Sequence, residues 1–154
     1  MWLYVLKSKS EVVSKFISFY NMVLTQFKTP IQTLRSDNGR EFLNQTMREF
    51  CESKGIVHQT TCPNTPQQNG VTERKNRILL EITRTLMFEA HVPAYYWPEA
   101  VTTAAYLINR LPTRILQFQS PLQYLAERIT APDFLTLPPR VFGTTVFVHI
   151  PKAH

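Results

Sequence analysis

Two acidic side chains carry the strongest chemical signal in the sequence. Asp37 ends the short apolar run of TLRSDNGREF, residues 33–42, and is followed by Asn38 and Gly39. Glu73 lies in NGVTERKNR, where a loop hands over to a long helical pattern, and 35 residues separate the two acids. A carboxylate at a strand tip and another at a helix start can converge on a divalent cation. Mg²⁺ takes hard oxygen ligands and keeps several waters, so two or three carboxylates suffice when a substrate phosphate supplies the rest. Two such ions about 4 Å apart activate an attacking hydroxyl and stabilise the leaving oxygen in phosphoryl transfer. A purely structural reading stands beside this one. Asp-Asn-Gly is a common turn sequence, a glutamate in a first helical turn complements the helix dipole, and Glu73 can pair with Arg77 one turn on.

The flanking pattern supplies the elements that must hold these acids. WLYVL, residues 2–6, reads as a strand. Ser8 and Glu11 form a capping-box pattern, followed by Val13, Phe16, Ile17, Tyr20, Val23, Leu24 and Phe27 at helical spacing, so a helix is expected over 10–27, ended by Thr29-Pro30. Residues 31–35 read as a short strand running into the Asp37 turn. A second helix is expected over 44–54, with Asn44 as N-cap, Met47, Phe50 and Cys51 inward, and Gly55 as its stop. Residues 56–61 read as a strand and CPNTPQQNG as a loop. A long helix then covers 71–88 with Ile78, Ile82 and Leu86 inward.

Pro93 and Pro98 frame a further helix at 97–109, and a short one is expected near 120–127. Tyr95, Tyr96 and Trp97 read as an aromatic cluster packed between helices, and VFGTTVFVHI as a strand or hairpin. Strands alternating with helices indicate an α/β layered fold.

At 154 residues and 44% hydrophobic, the chain fits one domain with one core. A net charge of +6 and a pI near 9.6 favour a polyanionic partner such as nucleic acid. The two cysteines, Cys51 and Cys62, form no CxxC pair, which argues against a disulfide framework. No apolar run approaches the roughly 20 residues of a membrane span, and MWLYVLKSKS is too short and too soon charged for a signal peptide.

SDNGREF, the 35-residue spacing and TPQQNGVTERKNR together resemble the integrase catalytic core of copia-type LTR retrotransposon Pol polyproteins, of the DDE superfamily. The resemblance covers residues 1–130, and LPPRVFGTTVFVHIPK within 131–154 resembles a linker and the first strands of an SH3-like module. It implies a ribonuclease-H-like fold, a mixed sheet flanked by helices. It implies Asp37 and Glu73 as the second and third carboxylates of a catalytic triad, with Asn38 and Gly39 shaping the turn that aims Asp37. Gln67, Gln68, Asn69 and Gly70 would form a loop beside the active site, and Arg74, Lys75 and Arg77 would flank bound DNA, a solvated helix face being the plainer alternative. It further implies two Mg²⁺ or Mn²⁺ ions, DNA 3′-end processing and strand transfer, retroelement ends and target DNA as partners, homo-oligomers, and a nuclear site of action.

The family's first Asp and its strand have no counterpart in these residues, so the expectation is an N-terminally truncated core with impaired catalysis. Glu11 is better explained by capping. The competing readings are a non-catalytic nucleic-acid-binding or oligomerisation remnant and, more distantly, a cellular ribonuclease of the same fold.

Overall fold

The computed structural model describes residues 1–61, 70–128 and 138–145. They fall into two compact units, Trp2–Arg77 and Ile78–His154 together with Met1.

In the first unit, helix α1 (Val12–Phe27) is followed by β1 (Thr33–Ser36), α2 (Gln45–Lys54) and β2 (Val57–Thr60). The strands pair in parallel, Thr33 with Val57 through Ser36 with Thr60. A parallel pair needs a crossover connection, and α2 is that crossover. Asn44 starts α2 by accepting the Met47 N–H on its side-chain oxygen at 2.9 Å. Gly55 ends it at φ 65°, a left-handed conformation that glycine adopts without steric cost. The core sits beneath these elements. Tyr20, Met47, Cys51 and Ile56 are buried, with Phe16, Leu34, Phe42 and Phe50 packed against them. Phe50 receives Tyr20 and Phe16 edge-on at 5.4 and 6.0 Å between ring centroids, which joins α2 to α1.

Two expectations for this unit change. Residues 2–6 form no strand, because a strand needs a ladder partner and none pairs with them among the described residues. Their aromatic side chains instead lie on α1, Trp2 against Phe19 and Phe27 and Tyr4 against Phe19. Ser8 and Glu11 form no capping box. Ser8 accepts from the Ser10 N–H and caps a single 3₁₀ turn, Lys9–Glu11, so Glu11 becomes the residue preceding α1.

Helix α3 (Gly70–Glu89) leads into the second unit, which contains α4 (Trp97–Ile108) and α5 (Pro121–Ala126). The buried side of α3 is Leu79 and Thr83, while Ile78 is 38% exposed. The run ILLEITRTLM holds two adjacent apolar stripes, and the one shifted by a residue from the expected Ile78–Ile82–Leu86 line turns inward. On α4, Ala100, Val101, Ala104, Ala105 and Ile108 are buried at helical spacing. Pro98 occupies its first turn, where a missing N–H costs nothing. A Ser120–Gln123 capping box starts α5.

The Tyr95–Trp97 cluster is not core. Tyr95 is 71% exposed, because a 3₁₀ turn at Ala94–Tyr96 directs it outward beside Tyr96. Trp97 at the start of α4 is also partly solvated. Residues 141–145 form no strand, and 146–154 of the expected hairpin lie outside the described residues.

The loop before α5 stores strain. Gln117 and Phe118 both adopt positive φ, 52° and 64°, in a segment closed by the Thr113 N–H bond to the Gln119 carbonyl. Left-handed backbone costs a non-glycine residue roughly 1–2 kcal/mol, and Phe118, 71% exposed, recovers little by burial. Phe118→Gly is therefore expected to stabilise the second unit by about 0.5–1 kcal/mol after the extra unfolded-state entropy of glycine. The check is a higher urea midpoint at unchanged m-value; a lower midpoint would mean that Phe118 packs better than its exposure indicates.

Candidate metal and nucleic-acid site

Asp37 directly follows β1, and each residue beside it is tied to β2 or the segment after it. Ser36 is buried, and its hydroxyl lies 2.9 Å from His58 Nε2, diagonally across the strand pair. Asn38 donates its side-chain amide to the Thr61 carbonyl at 2.9 Å. The Asp37 carboxylate turns back, Oδ1 accepting the Gly39 N–H at 3.0 Å, a local Asx-type turn. Asp37 is itself exposed. The structural reading of Asp-Asn-Gly as a turn thus holds, and it leaves the second carboxylate oxygen without a hydrogen bond among the described residues.

Gly39 has a tight surrounding. A Cβ there would lie 2.9 Å from Asp37 Oδ1 and 2.8 Å from Glu41 Cδ. The Glu41 carboxylate therefore flanks the same glycine as Asp37, brought back by the turn in which the Phe42 and Leu43 N–H groups bond the Gly39 carbonyl. Glu41 also pairs with Lys9 at 3.1 Å. Its own backbone N–H, and then Lys9, hold its carboxyl below the usual carboxylate range, so it is charged at neutral pH. The sequence reading missed Glu41. The signal was its position four residues after Asp37, legible only once the intervening turn is known.

Glu73 occupies the first turn of α3 and is exposed. It has no hydrogen-bond or ion-pair partner among the described residues, so the alternative pairing with Arg77 does not form there. Arg74, Lys75 and Arg77 are exposed on the same helix, and Gly70 is its first residue. Gln67, Gln68 and Asn69 lie outside the described residues. Among the described residues no three His, Cys, Asp or Glu side chains gather as a metal site. Taken singly, Asp37 and Glu73 are each exposed carboxylates with an uncommitted oxygen among the described residues, the donor type a hard cation takes.

Residues 2–66 match the integrase core domain family. Across 95% of its length the chain is 51% identical to the retrovirus-related Pol polyprotein from transposon RE2 of Arabidopsis thaliana. Across 99% it is 40% identical to the corresponding polyprotein from transposon TNT 1-94 of Nicotiana tabacum. An integrase core segment occupies residues 2–66. The chain spans 10% and 11% of the length of those two relatives.

Solved integrases share its fold. The HTLV-2 integrase catalytic core domain in complex with magnesium, in its trimeric form, superposes with a TM-score of 0.53 at 24% identity, covering 73% of this chain and 69% of that one. The simian T-cell lymphotropic virus intasome in complex with PP2A regulatory subunit B56 gamma gives 0.59 at 23% identity, covering 96% of this chain and 47% of that one. The integrase core is thus ribonuclease-H-like, as the motifs implied. No helix among its described residues is long and apolar enough to cross a membrane.

Proposed function

We propose that this integrase core segment contributes Asp37 and Glu73 as Mg²⁺ or Mn²⁺ ligands for DNA 3′-end processing and strand transfer. The observation that supports this most is the tethering of Asp37: an exposed carboxylate whose two neighbours are both anchored by side chains, at the end of a parallel strand. Asn38 and Gly39 hold the turn. A divalent ion bound there would supply Lewis-acid activation of the attacking 3′-hydroxyl and of the leaving oxygen. Arg74, Lys75 and Arg77 neutralise DNA phosphates, a contact that positions the duplex without reading its sequence. DNA contact by Gln67, Gln68, Asn69 and Gly70 is part of the same proposal. Two ions, further oxygen ligands from the longer polyprotein, retroelement ends and target DNA, homo-oligomers and a nuclear site of action belong to the same proposal.

A second reading is a DNA-binding or oligomerisation remnant without chemistry. It is favoured by the lack of a three-acid cluster among the described residues. Mn²⁺ titration of the purified chain separates the two. Asp37→Asn and Glu73→Gln are each expected to weaken Mn²⁺ binding about ten-fold or more, and a remnant would be indifferent to both. Gly39→Ala probes the turn. Its methyl would push on two carboxylates at the ends of flexible side chains, so stability should stay within about 1 kcal/mol while Mn²⁺ binding falls.

A further inference from the structure

We infer that His58 is a positioning residue for Asp37, acting through the Ser36 hydroxyl. The inference rests on Asp37 being a metal ligand, and it assigns a role to a residue that the carboxylate motifs leave out.

The hydrogen-bond directions are fixed by proton counting. The Ser36 hydroxyl lies 2.8 Å from the Asp37 backbone oxygen, which can only accept, so the hydroxyl proton goes there. A hydroxyl has one proton. The 2.9 Å contact between Ser36 Oγ and His58 Nε2 must therefore use a proton on the imidazole. The result is a directed chain: His58 Nε2–H donates to Ser36 Oγ, whose O–H donates to the carbonyl of Asp37. Ser36 is 9% exposed and His58 is half-buried, so these bonds compete little with water.

The chain ends on the peptide from which the Asp37 carboxylate projects. Asn38, on the other side, is held by the Thr61 carbonyl, and Asp37 Oδ1 is held by the Gly39 N–H. Three independent ties thus fix the backbone and first torsion of one exposed acid. Only the tie from His58 reaches the strand end from the middle of β2. Register places His58 opposite Leu34, on the same face as Ser36, where a parallel pair brings diagonal neighbours within reach. Outer partners of metal ligands typically change metal affinity 10–100-fold when removed. The lower end applies here, because His58 acts one residue away from the ligand.

The test has two parts. In ¹⁵N-labelled chain near pH 8, long-range ¹H–¹⁵N spectra should show His58 as the Nε2–H tautomer; a predominant Nδ1–H form overturns the chain as drawn. Mn²⁺ titrations then compare wild type, His58→Leu, His58→Gln, Ser36→Ala and Asp37→Asn, with urea unfolding run on each. His58→Leu and Ser36→Ala should weaken Mn²⁺ binding about ten-fold, and His58→Gln, whose amide can donate, should restore most of it. Ser36→Ala keeps the measurement decisive if His58→Leu does not fold. If both bind Mn²⁺ like wild type while Asp37→Asn does not, the positioning role is overturned and the metal reading stands. If Asp37→Asn itself binds like wild type, the metal reading falls and the positioning role falls with it. Equal weakening by His58→Gln and His58→Leu, tracking lost stability, reduces His58 to a packing residue.

Discussion

Met47→Ala is expected to cost the first unit about 2–5 kcal/mol, the range for truncating a fully buried long side chain. Met47 is 0% exposed and lies among Tyr20, Cys51 and Ile56, so the removed atoms leave a void between α1, α2 and the sheet. Its backbone N–H still bonds Asn44 in the variant, so the loss reports packing and not helix capping. Against the 5–15 kcal/mol that usually stabilises a domain, the effect is large enough to unfold a marginal unit. Urea unfolding should show a sharply lower midpoint. A change under about 1 kcal/mol would show that α1 and α2 collapse into the void, and that the packing beneath β1 is looser than the structure indicates.

The 154-residue chain, incubated with Mg²⁺ or Mn²⁺ and retroelement-end oligonucleotides, is expected to give joined products at or near background. Asp37 and Glu73 stand at the motif positions, and no group of three His, Cys, Asp or Glu side chains forms a metal site among the described residues. Metal-assisted transfer depends on fixed coordination, and a misplacement near 1 Å can already cost about 10²-fold. Glu41 does not repair this. Its carboxylate flanks Gly39 but is engaged by Lys9 at 3.1 Å. Robust joining by the chain alone would show either that two protein carboxylates suffice or that Glu41 leaves Lys9 to serve as a third. Gel analysis of joined oligonucleotides, with Asp37→Asn as the blank, decides it.

Local signals in the sequence located most of the helices. Asn44 and Gly55 bounded α2 because capping and left-handed backbone are properties of single residues. The Asp37 turn was legible for the same reason. What failed was non-local. WLYVL has the composition of a strand, but a ladder depends on a partner that composition does not reveal, and its rings settled on α1 instead. In α3 two apolar stripes competed, and packing chose Leu79 and Thr83 over Ile78. Tyr95 looked like core from its type alone, and a single 3₁₀ turn sent it outward. At the candidate site, motif spacing singled out Asp37 and Glu73, whereas the placement of Glu41 beside Gly39 and of His58 beside Ser36 depends on a turn and on strand register.

The chain has two tryptophans, and they fall on opposite sides of the division between the units. Trp2 rests on Phe19 and Phe27 of α1, and Trp97 begins α4. Each half therefore carries its own intrinsic fluorophore. Single-tryptophan versions made with phenylalanine allow emission to follow the melting of one half at a time, without dyes, and to reveal whether the acid-bearing half holds together when its neighbour comes apart.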